Sequence, residues 1–400
     1  MNHSQRNAFT LVELLVVISI VALLSTLMLG ALYTAQDAAK AQKTRSTIAK
    51  LNTLIMERYE SYKTRRVPIT IPRGTLKPDA ARIKLIALRD LMRLEMPERI
   101  SDIQDDPINP LNPSPNLVAG VPVPAVTQAY RRRLATAFAA KPLGNPNLDP
   151  TRFAYKNQGA ECLYMIVKYG LGDEDSPLDQ FQQSEIGDTD GNGLLEFLDA
   201  WGRPINFLRW APGFESELQG QMGVVDSSSG NRTLVAQEGI SSKNGAYNGR
   251  FVTFIKAGNA ALEGTTVRVN SNGYVGTTRT FQLVTDMAAT ASGGDRFIIT
   301  RTPPEQDPFD PFRVQPGTCI LLPLIYSAGP DGIYDILAVR DYDDTAPVLR
   351  YASATIRCNP FNNFSLPVGS PIDKNSDIPG PPDGDDNWYD NIHNHLIGTR

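Results

Sequence analysis

Histidine is nearly missing from this chain: three residues in 400, two of which, His393 and His395, fall within the last eight. A His-based triad or general base needs imidazoles distributed through the fold, so that chemistry is not expected. Cysteine is equally sparse. Cys162, Cys319 and Cys358 show no metal-ligand spacing and are too few for a disulfide scaffold. They leave two readings open, one Cys319–Cys358 bridge in an oxidising compartment or buried free thiols. There is no Gly-rich phosphate loop of the P-loop or dinucleotide type. A formal net charge of only −4 carries no nucleic-acid signature. Acid pairs are plentiful enough for a glycosidase, but they cluster in Gly/Asn-containing loops, which favours cation binding. The expectation is a protein without a catalytic site.

What the chain does have is unevenly placed. Hydrophobic residues make up 41% of it, enough for a substantial core in one large domain or two modest ones. Residues 1–66 carry nine Lys/Arg against four Asp/Glu, whereas residues 331–400 carry eleven Asp against five Lys/Arg. Acid is thus gathered far from the apolar end, which again favours cations as partners.

The apolar end is the long run "FTLVELLVVISIVALLSTLMLGALY" (9–33), in which Glu13 is the one charged residue and Gly30 the one helix breaker. As a helix it reaches roughly 36 Å, enough to cross a bilayer core. It is too long for the apolar region of a secretory signal. The helical pattern continues through "DAAKAQKTRSTIAKLNTLIMERYESYK" without Pro or Gly, with Ile48, Leu51, Ile55 and Tyr62 on one face. One continuous helix from about Phe9 to about Lys63 is expected, apolar first and amphipathic afterwards.

The stretch "AFTLVELLVVI" (8–18) closely resembles the N-terminal motif of type IV pilins and type II secretion pseudopilins. In that family a short polar leader is removed by prepilin peptidase just before the Phe, and the new amine is methylated. The resemblance implies a leader of residues 1–8 with Arg6 as its positive charge, and cleavage between Ala8 and Phe9. Where the family usually carries Gly before the cut, this chain has Ala8. Glu13 becomes the fifth mature residue, which in the family pairs with the terminal amine of a neighbouring subunit. A carboxylate in hydrocarbon costs about 2.5–3.5 kcal/mol on insertion scales, and such a pair compensates two desolvated ions. The alternative is a Glu at the membrane edge whose head reaches the interface. The resemblance further implies a single-pass inner-membrane protein with a periplasmic head. Its partners would be other copies, related pilin-like subunits, the peptidase and the inner-membrane assembly platform of a secretion or pilus system. A non-polymerising anchored binding protein, or a minor or tip subunit, is the other possibility, favoured by the large head.

Pro68 and Pro72 end the first helix. "DAARIKLIALRDLMRLEMPERI" (79–100), "AVTQAYRRRLATAFAA" (125–140) and "GAECLYMIVKYG" (159–170) read as further helices, separated by a Pro/Asn-rich connector over 105–124. The triplet Arg131–Arg133 reads as a solvated helix face. After Gly202, "PINFLRW", "RFVTFIKA", "TTVRVN", "TFQLVTD", "DRFIITR" and "CILLPLIYSAG" read as antiparallel strands. The expected fold class is α+β: a long N-terminal helix, transmembrane in its first half, packed against a head with an antiparallel sheet and calcium-type loops. The expected divisions are leader 1–8, transmembrane half 9–33, amphipathic half 34–66, helical region 67–170 and β-rich head 171–400.

Two acidic loops are candidate calcium sites. "DTDGNGLLEFLD" (188–199) places Asp188, Asp190 and Asn192 at loop positions one, three and five. The Leu194 carbonyl falls at seven, Glu196 at nine and Asp199 at twelve. The competing reading is an Asp/Gly turn using the same side chains for local hydrogen bonds. "DAWGRPINF" (199–207) is similar to the pseudopilin D-x-W-G-x-P turn, and "YSAGPDGIYDI" (326–336) to its S-x-G-x-D-G loop. In the major pseudopilin that second loop precedes calcium-holding acids, which implies Asp331, Asp335, Asp341, Asp343 and Asp344 as a second candidate set. "DGDDNWYDN" (383–391) is a third acidic stretch, with the His393/His395 pair nearby. In a tail at this spacing the pair reads as surface residues rather than metal ligands.

Overall fold

The computed structural model describes residues 11–107, 120–140, 157–171, 177–237, 239–303, 306–338, 359–361, 367–371 and 390–396. Helix α1 (Leu11–Ser61) runs unbroken for 51 residues. Every residue from 11 to 36 is exposed, and then one face closes: Thr44, Thr47, Ile48, Leu51, Ile55, Tyr59 and Tyr62 are buried. The three-and-four spacing of that set is a helical stripe, and the head is built on it.

Helices α2 (Lys77–Glu95), α3 (Ile100–Gln104), α4 (Ala125–Ala140) and α5 (Gln158–Met165) follow, α5 continuing into a π-helical turn over Ile166–Gly170. Helices α2 and α5 share the stripe's core, while α3 and α4 pack with the other side of α5 in a neighbouring cluster. Buried ion pairs lock them. Glu95, at the end of α2, accepts from Arg58 at 2.7 Å, Arg65 at 2.6 Å and the Tyr62 hydroxyl at 2.7 Å. Arg93, fully buried, binds Asp90 at 2.8 Å, and Arg209 binds Asp102 at 3.1 Å. Each charge taken out of water thereby meets a counter-charge. The Arg131–Arg133 triplet is more engaged than a solvated face. Arg131 donates to the carbonyl of Ile103 at 2.8 Å and Arg133 to that of Gly193, while Arg132 is exposed.

Strands β1 (Ile186–Gly187) and β2 (Glu196–Phe197) form a short antiparallel pair around the first acidic loop. Strand β3 (Asn206–Leu208) belongs to a second sheet described below. Six strands then close a barrel: β4 (Gln221–Ser229), β5 (Thr233–Ala236), β6 (Phe251–Lys256), β7 (Thr266–Val275), β8 (Thr280–Leu283) and β9 (Arg296–Thr300), in the order β4-β5-β8-β7-β6-β9. All its pairings are antiparallel, and closure removes the edges that would otherwise invite aggregation. Its interior is filled by Tyr247, Phe254, Tyr274, Phe281 and Phe297, so it is a packed core rather than a ligand-holding lumen.

The second sheet has three antiparallel strands, β10 (Leu324–Ser327) between β3 and β11 (Ile392–His393). It packs against the buried face of α1. The Tyr59 hydroxyl donates to the Leu321 carbonyl at 2.6 Å, and the Asn394 amide donates to Asn52 at 2.8 Å. The architecture is therefore α+β, a long apolar helix followed by a head rich in antiparallel sheet. One expectation about the tail needs correction. His393 and His395 are buried, not on the surface, because Asn394 ties the tail to Asn52 and to the Pro323 carbonyl at 2.9 Å, turning both rings onto Phe214. Cys162 and Cys319 are buried free thiols, and Cys358 lies outside the described residues.

Candidate functional site

The first acidic loop turns between β1 and β2 with left-handed backbone at Gly191 (φ 70°) and Gly193 (φ 92°), a conformation that side chains with a Cβ resist. Asp188 holds the turn from inside, accepting from the amides of Asn192 at 3.0 Å and Gly193 at 2.9 Å. Asp190 accepts from the Asn192 amide at 3.0 Å, and the Leu194 amide donates to the Asn192 side chain at 2.7 Å. Glu196 returns to the loop, accepting from the Thr189 amide at 3.1 Å. The local hydrogen bonds of an Asp/Gly turn are thus present.

A residue from outside the loop completes the arrangement. Glu161, in the first turn of α5, accepts from the Asn192 side-chain amide at 2.5 Å, and the same amide donates to Asp190 at 3.0 Å. One carboxylate oxygen from each of Glu161, Asp190 and Glu196 lies within 4.8 Å of the others. Glu161 and Glu196 are buried and Asp190 half-buried. Burial raises the Glu161 pKa well above the usual carboxylate range, with the charges of Asp190 and Glu196 adding to it. Burial likewise pushes Glu196 up to about 8, reinforced by Asp190 and Asp188. The loop template did not include Glu161; its signal is one acid set in the otherwise apolar run "ECLYMIV".

Asp199 does not join this group. Its Oδ1 accepts from the amides of Trp201 at 2.8 Å and Arg203 at 2.9 Å, and its Oδ2 from the Ser327 hydroxyl at 2.7 Å. Asp199 therefore serves the D-x-W-G-x-P turn and is spent before it could act as position twelve of the loop. The same contact joins the two pseudopilin-like stretches. Arg203 donates to the Gly329 carbonyl at 2.8 Å, and its guanidinium lies over Gly332 (φ 85°), where a Cβ would stand 2.3 Å from Cζ. Of the second candidate set, Asp331 is exposed and accepts from the Ile333 amide at 2.9 Å, while Asp335 is buried. They do not gather into a ligand group among the described residues, and Asp341, Asp343 and Asp344 lie outside those residues.

Ala8 and Phe9 also lie outside the described residues, whereas Glu13 stands exposed in the first turn of α1. Residues 3–29 match the family described as the prokaryotic N-terminal methylation motif. The chain carries a prepilin-type N-terminus. Joined to a long apolar helix, it is consistent with a type IV pilin-like protein and supports processing by prepilin peptidase. No curated protein and no solved structure matches the chain. The prepilin-type N-terminus covers a small share of the length, so the head stands on its own geometry. Behind it the exposed apolar half of α1 fits a membrane anchor. Its polar side chains are self-satisfied: the hydroxyls of Ser19, Ser25 and Thr26 donate to carbonyls three or four residues back.

Proposed function

We propose that this protein is a structural subunit that is cut between Ala8 and Phe9, N-methylated, and anchored in the inner membrane with its head in the periplasm. Copies then pack side by side through the apolar half of α1 into a filament of a type II secretion or type IV pilus-like system. The observation that carries this reading is the methylation motif over residues 3–29 placed directly ahead of a helix whose apolar half the head leaves bare. In hydrocarbon, helix association depends on close approach and polar pairing rather than on burial from water. Ser19, Ala22, Ser25 and Gly30 supply small side chains along the run. The Glu13 carboxylate and the amine of Phe9 from a neighbouring copy supply the pairing.

The decisive measurement is the N-terminus of the mature protein recovered from membranes. A start at methylated Phe9 is expected; an intact Met1 start would sink the reading. Assembly is tested separately by Glu13→Ala, which should be cut and inserted normally but fail to enter filaments. Normal filament entry by that variant would remove the pairing. The size of the head, with its separately cored barrel, favours a second reading in which the same anchor presents an extracellular binding module that does not polymerise. Wild-type protein that is cut and inserted but forms no cross-linkable oligomers would support it.

A further inference from the structure

We propose that Glu161, Asp190 and Glu196 together hold a calcium ion that fastens helix α5 to the loop between β1 and β2. This site does not depend on filament assembly, and its ligand set differs from the one read from the loop alone. Its three carboxylates arrive from three elements, and one oxygen from each lies within 4.8 Å of the others. Calcium binds oxygens at about 2.3–2.6 Å, so ligands facing each other across the ion stand about 4.6–5.2 Å apart and adjacent ones closer. The observed spacing fits.

An independent feature marks the same point. Glu161 is 1% exposed, and its Oε2 has no hydrogen-bond partner among the described residues. A carboxylate oxygen buried without a partner is costly, and a native fold keeps one where something else satisfies it. Hydrogen-bond donors to Glu161 and Glu196 are neutral: the Asn192 amide for the first, and Thr189 and Asn157 for the second. No Lys or Arg forms an ion pair with either among the described residues. Arg133 reaches this loop but donates to the Gly193 carbonyl. The Asn192 NH2 group, bridging Glu161 and Asp190, is a neutral stand-in where positive charge belongs.

The ligand chemistry selects the ion. An all-carboxylate set without imidazole or thiolate suits a hard cation and disfavours zinc or copper. Ligands drawn from a turn, a strand and a helix leave irregular geometry with one half-buried side open to water. Calcium accepts that, while magnesium demands a near-ideal octahedron. Bound there, the ion would hold the α5 N-terminus against the loop, where Asn157 already donates to Thr189 at 3.0 Å.

The test uses the full chain in detergent, stripped with chelator and then titrated with calcium chloride, with magnesium chloride as the comparison. Equilibrium dialysis should find calcium bound with saturation between about 10 μM and 1 mM, and the thermal midpoint should rise with it. Magnesium at equal concentration should raise it less. Glu161→Gln should weaken calcium binding about tenfold or more while melting no lower than wild type in chelator, because the amide keeps the shape of the carboxyl and brings no charge into the buried position. Should Glu161→Gln fail to fold, Asp190→Asn on the half-buried side is the second variant, with the same expected loss. An unchanged wild-type midpoint with no retained calcium would overturn the proposal. So would wild-type calcium affinity in the folded variant, since the ion would then sit elsewhere.

Discussion

The two halves of α1 share one backbone and answer to different surroundings. From residue 11 to 36 no side chain is covered, and Leu11, Leu24 and Leu29 are exposed like the rest. From Thr44 onward one stripe of the same helix is sealed under sheet and helices. Apolar content alone does not separate them, because both halves carry Leu and Ile. The distinction is angular. An apolar surface on all sides has no dry and wet face and suits hydrocarbon, whereas a stripe at three-and-four spacing suits a protein core in water.

The largest effect that would sharpen this contrast lies where the buried half ends. Glu95 meets Arg58, Arg65 and Tyr62 from the close of α1 and just beyond it. Removing one member of a buried charge group leaves the others uncompensated, which costs about 3–5 kcal/mol. Glu95→Ala should therefore lower head stability by that order in denaturant titration, and Glu95→Gln by less. A loss below about 1 kcal/mol for Glu95→Ala would mean that the helix end is held by apolar packing alone.

A smaller effect tests the tail strand that covers the same half. Burial pushes the His395 pKa down to about 4, opposed by its contact with the Pro323 carbonyl, and burial together with its neighbour pushes His393 down to about 3. In the unfolded chain both titrate near 6.5, so as pH falls below 6.5 the unfolded state takes up protons that the folded state refuses. Stability is then full above about 6.5 and falls progressively toward pH 4, by about 2 kcal/mol per histidine at pH 5. Glu161 and Glu196 shift the opposite way, so the informative quantity is the difference between wild type and His395→Leu. The variant should lose less stability between pH 7 and pH 5, and parallel profiles would show that the ring is not held neutral in the folded protein.

The long helix and the α+β class were legible because periodicity over tens of residues carries them. The strands read as β6 to β9 announce themselves in "RFVTFIKA", "TTVRVN", "TFQLVTD" and "DRFIITR". Strands β4 and β5 did not: "QMGVVDSSS" contains Gly, Asp and three Ser, and "TLVA" has four residues. Their conformation comes from pairing with β9 and β8 rather than from local preference. Strand β11 has two residues and exists because Asn394 anchors it. In the acidic loop, spacing brought Asp190 and Glu196 forward but assigned Asp199 to the loop, although that residue opens the next turn. Glu161 escaped because a residue contributed by another element leaves no spacing to read. Its trace was chemical, an acid within an apolar helical run, the same anomaly that Glu13 presents.

The smallest expected effect is the most pointed test of the contrast. Leu51→Ala in the sealed half opens a cavity in the core and should cost the head about 2–5 kcal/mol. Leu24→Ala makes the same chemical change 27 positions earlier on the same helix, at a side chain 52% exposed. Among the described residues none of the head covers that position, so the denaturation midpoint of the detergent-solubilised chain should move by no more than about 0.5 kcal/mol. Any consequence of Leu24→Ala should appear in membrane retention or in contact between copies, neither of which the unfolding of a single head reads. A loss at Leu24 comparable with that at Leu51 would mean that the apolar half folds back onto its own head, and the two halves would then share one environment after all.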